Sequence, residues 1–414
     1  MCIYARDIDR ETWFLAAVRK SCIINNITKT TGSEMTPHSR ITSIKIQGYR
    51  PFRDFTALLE PVEIIVGANG SGKSSLFEFL KFLTDSMESE IPNEIIKGSI
   101  GQQIFHIPGS EKFEWELKID TGESNISYQG ELMGPRSNPQ ISFERVESSQ
   151  HLFMDIKGTE GLYREPGYAE TNRVFPKRNQ LALRTITNPD LATLYKLREY
   201  IGGWKFYSSF NIANHKIRKS VLIEQEPVLD EDAGNLSSVL HYLMTEHSAV
   251  FDDLQQHLQS VIPGFKKLTV KARGGPGEVI AFWQEKGINQ DLSLADLSDG
   301  ILRLICWICL CLHPKPPSLI CIDEPDQGVH PRTLPLLAGL FEKAAERTQV
   351  LLATHSSYFL TQFDISQIAV VRKENGESKF IKPGNSKVLT DMLDDFGTEE
   401  IEKLHRSDEL ELLP

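Results

Sequence analysis

No apolar run in this sequence reaches the roughly 18 residues that a membrane-spanning helix needs, and mean hydropathy is -0.26. Nor do the first residues read as a secretory leader. The stretch Trp13–Val18 is short, and Asp7, Asp9 and Glu11 stand where a leader carries positive charge. A cytoplasmic location is the expectation. Positive charge is in deficit: 45 Lys and Arg face 56 Asp and Glu, a net charge of -11. General affinity for nucleic acid through bulk charge is thereby disfavoured. Cysteine is scarce, six in 414 residues, and these are expected as reduced thiols. Cys306, Cys309 and Cys311 have a metal-like spacing, yet they lie in the mostly apolar run Ile301–Leu312, with no second pair to complete four ligands. They read as part of a packed helix. Long heptads are absent, which argues against a coiled-coil arm, and no internal repeat is visible.

What is present begins at Ile41, after an accessory extension over 1–40 that reads as poorly ordered, with a docking arm as its functional alternative. Ile41–Gln47, Phe55–Glu60 and Val62–Val66 read as strands, and the last enters a glycine-rich turn. Lys73–Leu83 carries Leu76, Phe77, Phe79, Leu80, Phe82 and Leu83 at helical spacing. In Lys112–Asp120 the residues Phe113, Trp115, Leu117 and Ile119 alternate with polar ones, the mark of a half-buried antiparallel strand. Helical periodicity returns at Asp190–Ile201 and across Leu236–Val261. From Leu292 onward helices alternate with the apolar strands Ser318–Ile322, Val350–Ala353 and Ile368–Arg372, which predicts a parallel sheet covered by helices.

Gly67-Ala68-Asn69-Gly70-Ser71-Gly72-Lys73-Ser74 fits the phosphate-binding loop G-x-x-x-x-G-K-[ST], between a strand and a helix as that loop requires. Its glycines let backbone N–H groups turn toward phosphates at a helix N-terminus. Lys73 is placed to reach the β- and γ-phosphates, and the Ser74 hydroxyl to ligate magnesium; Ser75 continues the nucleotide-binding set. Leu319–Glu324 is an apolar strand ending in two acids. Asp323 would hold the metal at the strand's carboxyl end, and Glu324 would act as general base on water. His355 follows the strand Val350–Ala353, where a histidine can sense the γ-phosphate. Ser298, Asp299 and Gly300 precede the helix Ile301–Leu312, where serine and glycine can offer donors to an anion. By itself the tetrapeptide Leu297–Gly300 could simply be a helix cap.

Taken in order, Gly67–Ser74, Leu297–Gly300, Ile320–Glu324 with Pro325–Pro331, and His355 resemble ABC-type ATPase heads of the RecF/SMC-like and OLD-like kind, ATPases of bacterial antiphage defence systems. The resemblance implies an α/β fold: a P-loop head with a mixed parallel sheet, an antiparallel β subdomain and a helical insertion. It implies ATP and Mg2+ as cofactors and a homodimer in which Ser298 and Gly300 act in trans on a nucleotide held at Lys73. Pro325–Pro331 takes the place of the loop that crosses the dimer. Arg53 is similar to an arginine near adenine and phosphates in such heads, or is a surface residue. Gln103, or its neighbour Gln102, is the candidate for the metal-linked glutamine. Asn235–Leu240 resembles a segment common in defence ATPases. The resemblance departs at Asp299, where many members carry glycine.

These readings divide the chain into an extension (1–40), an N-terminal ATPase lobe (41–145), an insertion or lid (146–265), a C-terminal ATPase lobe (266–385) and a helical tail (386–414). The function expected is an ATP-driven switch, the sensor and scaffold of an antiphage system controlling a separate effector such as a nuclease. The alternative is a stand-alone RecF-like repair or recombination ATPase that clamps DNA. A transporter subunit fits poorly, because the insertion is too long. Asp391, Asp394 and Asp395 read as an exposed helix face rather than nuclease ligands, so cutting would fall to another polypeptide. Local DNA contact through Lys216, Arg218 and Lys219, or through Lys266, Lys267, Lys271 and Arg273, stays open against the plainer reading of solvated faces. An assembly larger than the dimer stays open too.

Overall fold

The computed structural model describes residues 39–91, 104–109, 111–135, 138–166, 172–210, 212, 215–386 and 399–406, all within the compact unit His38–Pro414. The expectations for residues 1–38, for Gln102 and Gln103, and for Asp391, Asp394 and Asp395 lie outside the described residues.

Eighteen strands are described. In chain order they are β1 (Arg40–Tyr49), β2 (Phe52–Leu58), β3 (Val62–Val66), β4 (Lys112–Asp120), β5 (Asn125–Met133), β6 (Gln140–Ser148), β7 (Leu152–Lys157), β8 (Glu160–Tyr163) and β9 (Asn172–Val174). There follow β10 (Trp204–Tyr207), β11 (Val221–Leu222), β12 (Phe265–Ala272), β13 (Glu278–Glu285), β14 (Leu292–Ser293), β15 (Leu319–Asp323), β16 (Gln349–Ala353), β17 (Ile368–Glu374) and β18 (Glu377–Ile381). The main helices are α1 (Lys73–Glu88), α2 (Ala192–Gly202), α3 (Leu236–Glu246), α4 (Ser248–Val261), α5 (Asp299–Leu312), α6 (Leu334–Ala345), α7 (Ser357–Leu360) and α8 (Glu399–Arg406).

The six-stranded sheet runs β10-β15-β16-β3-β17-β18, parallel except for its last strand. Its central strands are mostly apolar because both faces are covered, with Glu63 and Gln349 as buried exceptions. Along β3, Ile64 and Val66 enter one core while Ile65 enters the other. In β15 and β16 the alternation repeats: Ile320, Ile322, Val350 and Leu352 face the first core, Leu319, Cys321, Leu351 and Ala353 the second.

The antiparallel sheet has eight strands, β2-β1-β4-β5-β6-β7-β8-β9. Helix α1 lies between the two sheets' apolar faces, burying Leu76, Phe79, Leu80, Phe82 and Leu83. Its Phe82 meets Phe113 of β4 edge-on at 5.6 Å between ring centres, and Phe79 meets Tyr49 at 5.6 Å. Each such side chain contributes about 1.5–3 kcal/mol by burial, so the helix that carries the phosphate loop is anchored by its apolar stripe. The third sheet, β11-β13-β12 with β14 on β13, packs against α3 and α4.

Several expectations change: the second strand spans Phe52–Leu58 rather than Phe55–Glu60, and the helix expected from Ile301 begins at Asp299, just after its Ser298 cap. The first strand begins at Arg40, one residue before the expected start. The helical stretch Leu236–Val261 is two helices, broken at His247, whose φ of -135° is not helical and whose Nε2 meets the Tyr242 hydroxyl at 2.8 Å. The division at 145 falls inside β6, and residues 146–265 contribute to all three sheets: β7–β9 extend the antiparallel sheet, β10 joins the parallel one, and β11 and part of β12 belong to the third. A local reading of strands cannot see such pairings, because partners distant in sequence leave no trace in the segment itself.

Candidate nucleotide site

The parallel register sets Asp323 opposite Ala353, and Ala353 opposite Ile65, so the carboxyl ends of β15, β16 and β3 lie side by side. Loops leaving that edge carry the sequence-predicted residues, as ligand-binding loops do in open parallel sheets. After β3, Gly67 turns with φ 147° and Gly72 with φ 122°, conformations that suit glycine. A Cβ on Gly67 would lie 2.0 Å from the Val371 carbonyl oxygen, and one on Gly72 would lie 2.8 Å from Ser378 Oγ. The loop is therefore packed from behind by β17 and β18. Ser378 Oγ also donates to the Ser71 carbonyl.

Lys73 opens α1 and is nearly buried, its ammonium donating to the carbonyls of Gly67 at 2.5 Å and Ala68 at 3.2 Å. Asn69, Gly70 and Ser74 are exposed and Ser75 half-buried. Ser74 and Asp323 line one cleft of about 480 Å3 together with Phe206, Tyr207 and Ser208. The oxygens of Ser74 and Asp323 are the hard donors that a divalent cation such as magnesium prefers, and magnesium takes most of its other ligands from phosphates and water. Among the described residues no cluster of three His, Cys, Asp or Glu could hold a metal alone.

Burial, and then the charge of Glu324, push the Asp323 carboxyl above its usual range; Lys73 and His355 pull the other way. These four residues therefore share one electrostatic neighbourhood. Glu324 has φ 55°, a left-handed conformation rare for a side-chain-bearing residue, while its amide donates to the Ala353 carbonyl at 2.8 Å. Strain of this kind persists where neighbouring structure enforces it. His355 is exposed beyond the buried Thr354.

The residues Ser298 and Gly300 line a different cleft, of about 580 Å3, with Gly328, Val329 and His330. None of the residues lining it belongs to the phosphate loop. Ser298 caps α5: its Oγ accepts from the Ile301 amide at 3.4 Å. A Cβ on Gly300 would lie 2.8 Å from the Gly328 carbonyl oxygen, so glycine here lets α5 approach the loop Pro325–Pro331. Arg303 lies beside Gly328 of that loop and donates from Nε to the Ser209 carbonyl at 2.8 Å.

Arg53 is exposed and paired with Glu377 at 2.8 Å. The Cys306, Cys309 and Cys311 thiols are free and buried in α5. Asn235 is buried and functions locally as a clasp, accepting from the Asp230 amide and donating to the Val228 carbonyl and to Glu224, each within 3.1 Å. Of the basic clusters, Lys216 pairs with Asp232, Lys271 with Asp291, and Arg218 turns inward; Lys219, Lys266, Lys267 and Arg273 are exposed.

Four contributors escaped the sequence reading: Ser208 at the end of β10, Ser378, Arg303, and Arg218 as a structural group. Ser378 had a signal, the Asn375-Gly376 turn, which occupies φ 52° and 87° and closes the β17–β18 hairpin.

A phosphate loop and an acidic pair on the carboxyl edge of a parallel sheet, buttressed by an antiparallel sheet, define an α/β P-loop ATPase. Over residues 64–361 the chain matches, and belongs to, the family described as "AAA domain, putative AbiEii toxin, Type IV TA system". It is 24% identical to the "Retron Vc95 probable ATPase" of Vibrio cholerae serotype O1 biovar El Tor, over 99% of this chain and 87% of that protein. Among solved structures it is similar in fold to an Smc head bound to the C-terminal winged-helix domain of ScpA, with TM-score 0.53 and 13% identity, covering 84% of this chain and 99% of that one. A second Smc head with an extended coiled coil, bound to the C-terminal domain of ScpA and derived from Pyrococcus furiosus, gives TM-score 0.50 at 12% identity over 86% and 99%. Among the described residues no helix is long and apolar enough to cross a membrane.

Proposed function

We propose that the chain is a magnesium-dependent, cytoplasmic ATP switch that completes two catalytic sites between two copies of itself. The observation that carries this reading is the separation of Ser298 from the phosphate loop: the two line different clefts of one chain. A second copy can bring its Ser298 and Gly300 to a nucleotide held at Lys73. Ser298 is chemically suited to that task. Its oxygen already accepts from Ile301, so its hydroxyl hydrogen is left to donate to a phosphate oxygen.

In this scheme Gly67–Ser75 cradle the phosphates, Lys73 offsets their charge, and Ser74 with Asp323 hold magnesium. Glu324 takes the proton of the attacking water, while His355 faces the γ-phosphate and responds to its departure. Arg53 can leave Glu377 for the nucleotide. Hydrolysis removes the group that joins the two chains, and the dimer loosens.

The retron relative and the family description support an antiphage role in which this switch governs a separate effector, such as a nuclease. The alternative DNA clamp has less in its favour, because Lys216, Arg218 and Lys271 are engaged within the chain.

The test is particle size with and without ATP, alongside turnover. Glu324→Gln is expected to accumulate an ATP-bound dimer, and Lys73→Ala to lose nucleotide binding. Full-speed hydrolysis by a single protomer, indifferent to Ser298→Ala, would sink the shared site. Co-purification from the native host tests the effector.

A further inference from the structure

The segment that delivers Ser298 is held by one side chain from far away in the sequence. Arg218 closes the short turn His215–Arg218, which Ile217 fixes in the core at 1% exposure. From Nη1 its guanidinium shares two hydrogens among the carbonyls of Leu294 at 3.1 Å, Ala295 at 3.0 Å and Leu297 at 2.8 Å. From Nη2 it donates to Asp299 Oδ1 at 2.6 Å. All four acceptors lie between four residues before Ser298 and one residue after it.

We propose that Arg218 is a positioning residue for Ser298, fixing the turn Leu294–Leu297 and the first residue of α5 so that the serine hydroxyl faces a nucleotide held by a second copy. This deepens the reading above and rests on it. A planar guanidinium can serve several acceptors in fixed directions, which an ammonium cannot do in the same geometry. The carbonyls it gathers belong to a turn that also has its own capping box, in which the Asp296 carboxylate accepts from Ser293. That local device sets the turn's shape. Arg218 sets where the turn sits relative to the rest of the chain. Asp299, which breaks the glycine pattern of many ABC-type heads, thereby acquires a role: it anchors the far end of the same guanidinium. Ser298 lies between these anchors, so a shift of the turn would move its hydroxyl directly.

The test uses the full chain and stoichiometric mixtures of variants, read by ATP turnover. Arg218→Ala alone is expected to lower turnover at saturating ATP by roughly ten- to a hundredfold, as misplacement of a catalytic contact by about 1 Å does. Nucleotide binding to the isolated chain should stay within about threefold, since no Arg218 contact reaches the phosphate loop. Mixing Arg218→Ala with Lys73→Ala should then restore turnover to as much as about a quarter of the parent's, because random pairing forms half-complete dimers with one good site. A mixture of Ser298→Ala with Lys73→Ala is the control. If the control recovers and the Arg218→Ala mixture does not, Arg218 serves its own chain's nucleotide or fold and the proposal is overturned while the shared site stands. If neither recovers, the shared site falls and the proposal with it. Should Arg218→Ala fail to fold, Arg218→Lys goes through the same mixtures; its single charge can face Asp299 but cannot reach the three carbonyls together, so the same two outcomes decide.

Discussion

The Thr354 hydroxyl donates a 2.6 Å hydrogen bond to Asp326, joining the loop that carries His355 to the loop that follows Glu324. The same oxygen accepts from the Ser356 amide at 3.0 Å, and Thr354 is fully buried. Thr354→Val keeps the shape and removes both bonds. Leaving the half-buried Ser356 amide and Asp326 carboxylate without these partners costs about 1 kcal/mol, the low end for unpaired groups, and urea unfolding should show a loss of that size. Turnover should fall further than nucleotide affinity, since the phosphate loop is untouched. A variant with parental stability and parental turnover would show that this bond holds nothing in place.

Gly67 offers a sharper steric test. It combines φ 147° with a carbonyl 2.0 Å from where a Cβ would stand. Gly67→Ala must strain the backbone or push β17 away, and those effects together should cost about 2–5 kcal/mol. At Gly70 nothing lies within 4 Å of an added Cβ, and only its φ of 75° opposes the change. Gly70→Ala should therefore lose about 1 kcal/mol, the left-handed penalty alone. Equal losses at the two positions, measured by chemical denaturation, would contradict the packing of the phosphate loop against Val371.

The contrast between those two glycines also shows what could be read from the chain alone. The phosphate loop, the acidic pair and the strand before His355 were legible because each is a contiguous motif with its flanking strand or helix attached. The capping role of Ser298 was legible for the same reason. Nothing in Trp204–Tyr207 announces that it lies parallel to Leu319–Ile322, or that Ser208 borders the cleft of Ser74 and Asp323. Arg218 looked like part of a solvated basic run because Lys216 and Lys219 beside it are surface positions. Its acceptors lie 76 to 81 residues away, a separation that no local pattern records. The helix break at His247 was hidden differently: no proline or glycine marks it, and only the backbone angle of His247 reveals it.

The thiols of α5 and β15 allow a simple check of the core. Cys306, Cys309, Cys311 and Cys321 are buried and free, and burial pushes all four thiols up. Thiolate is the reactive form, so these four should resist alkylation in the native protein and react once it is denatured. A chelator should leave the melting temperature unchanged, because a packed helix has no metal to lose. Rapid native labelling at any of the four, found by mass spectrometry, would contradict the placement of that residue.

Glu144 yields a prediction in pH. It is fully buried in β6 and accepts from the amides of Ala182 and Leu183 and from the Tyr128 hydroxyl, so one carboxylate ties β6 to β5 and to the turn Leu183–Thr185. Burial outweighs those three bonds and pushes its pKa from 4.5 to about 7. The folded chain consequently holds this proton more tightly than the unfolded chain. Where the folded state binds more protons, stability falls as pH rises. The fall attributable to Glu144 should begin near the unfolded value of 4.5 and be complete a little above pH 7, with a ceiling of about 3 kcal/mol. Glu63 titrates in the same window, since burial raises its pKa to about 7 against the pull of Lys382, so the wild-type curve alone cannot isolate Glu144. Glu144→Gln can. An amide does not titrate: its oxygen can keep the Leu183 amide and the Tyr128 hydroxyl, while its NH2, itself a donor, cannot accept from the Ala182 amide, a loss that is the same at every pH. Its stability should decline less steeply between pH 4.5 and 7 than the parent's, and the difference between the two curves is the Glu144 contribution. A difference curve that rises with pH through this window would mean that the carboxylate is ionised in the folded protein at pH 5, and that its three hydrogen bonds outweigh its burial.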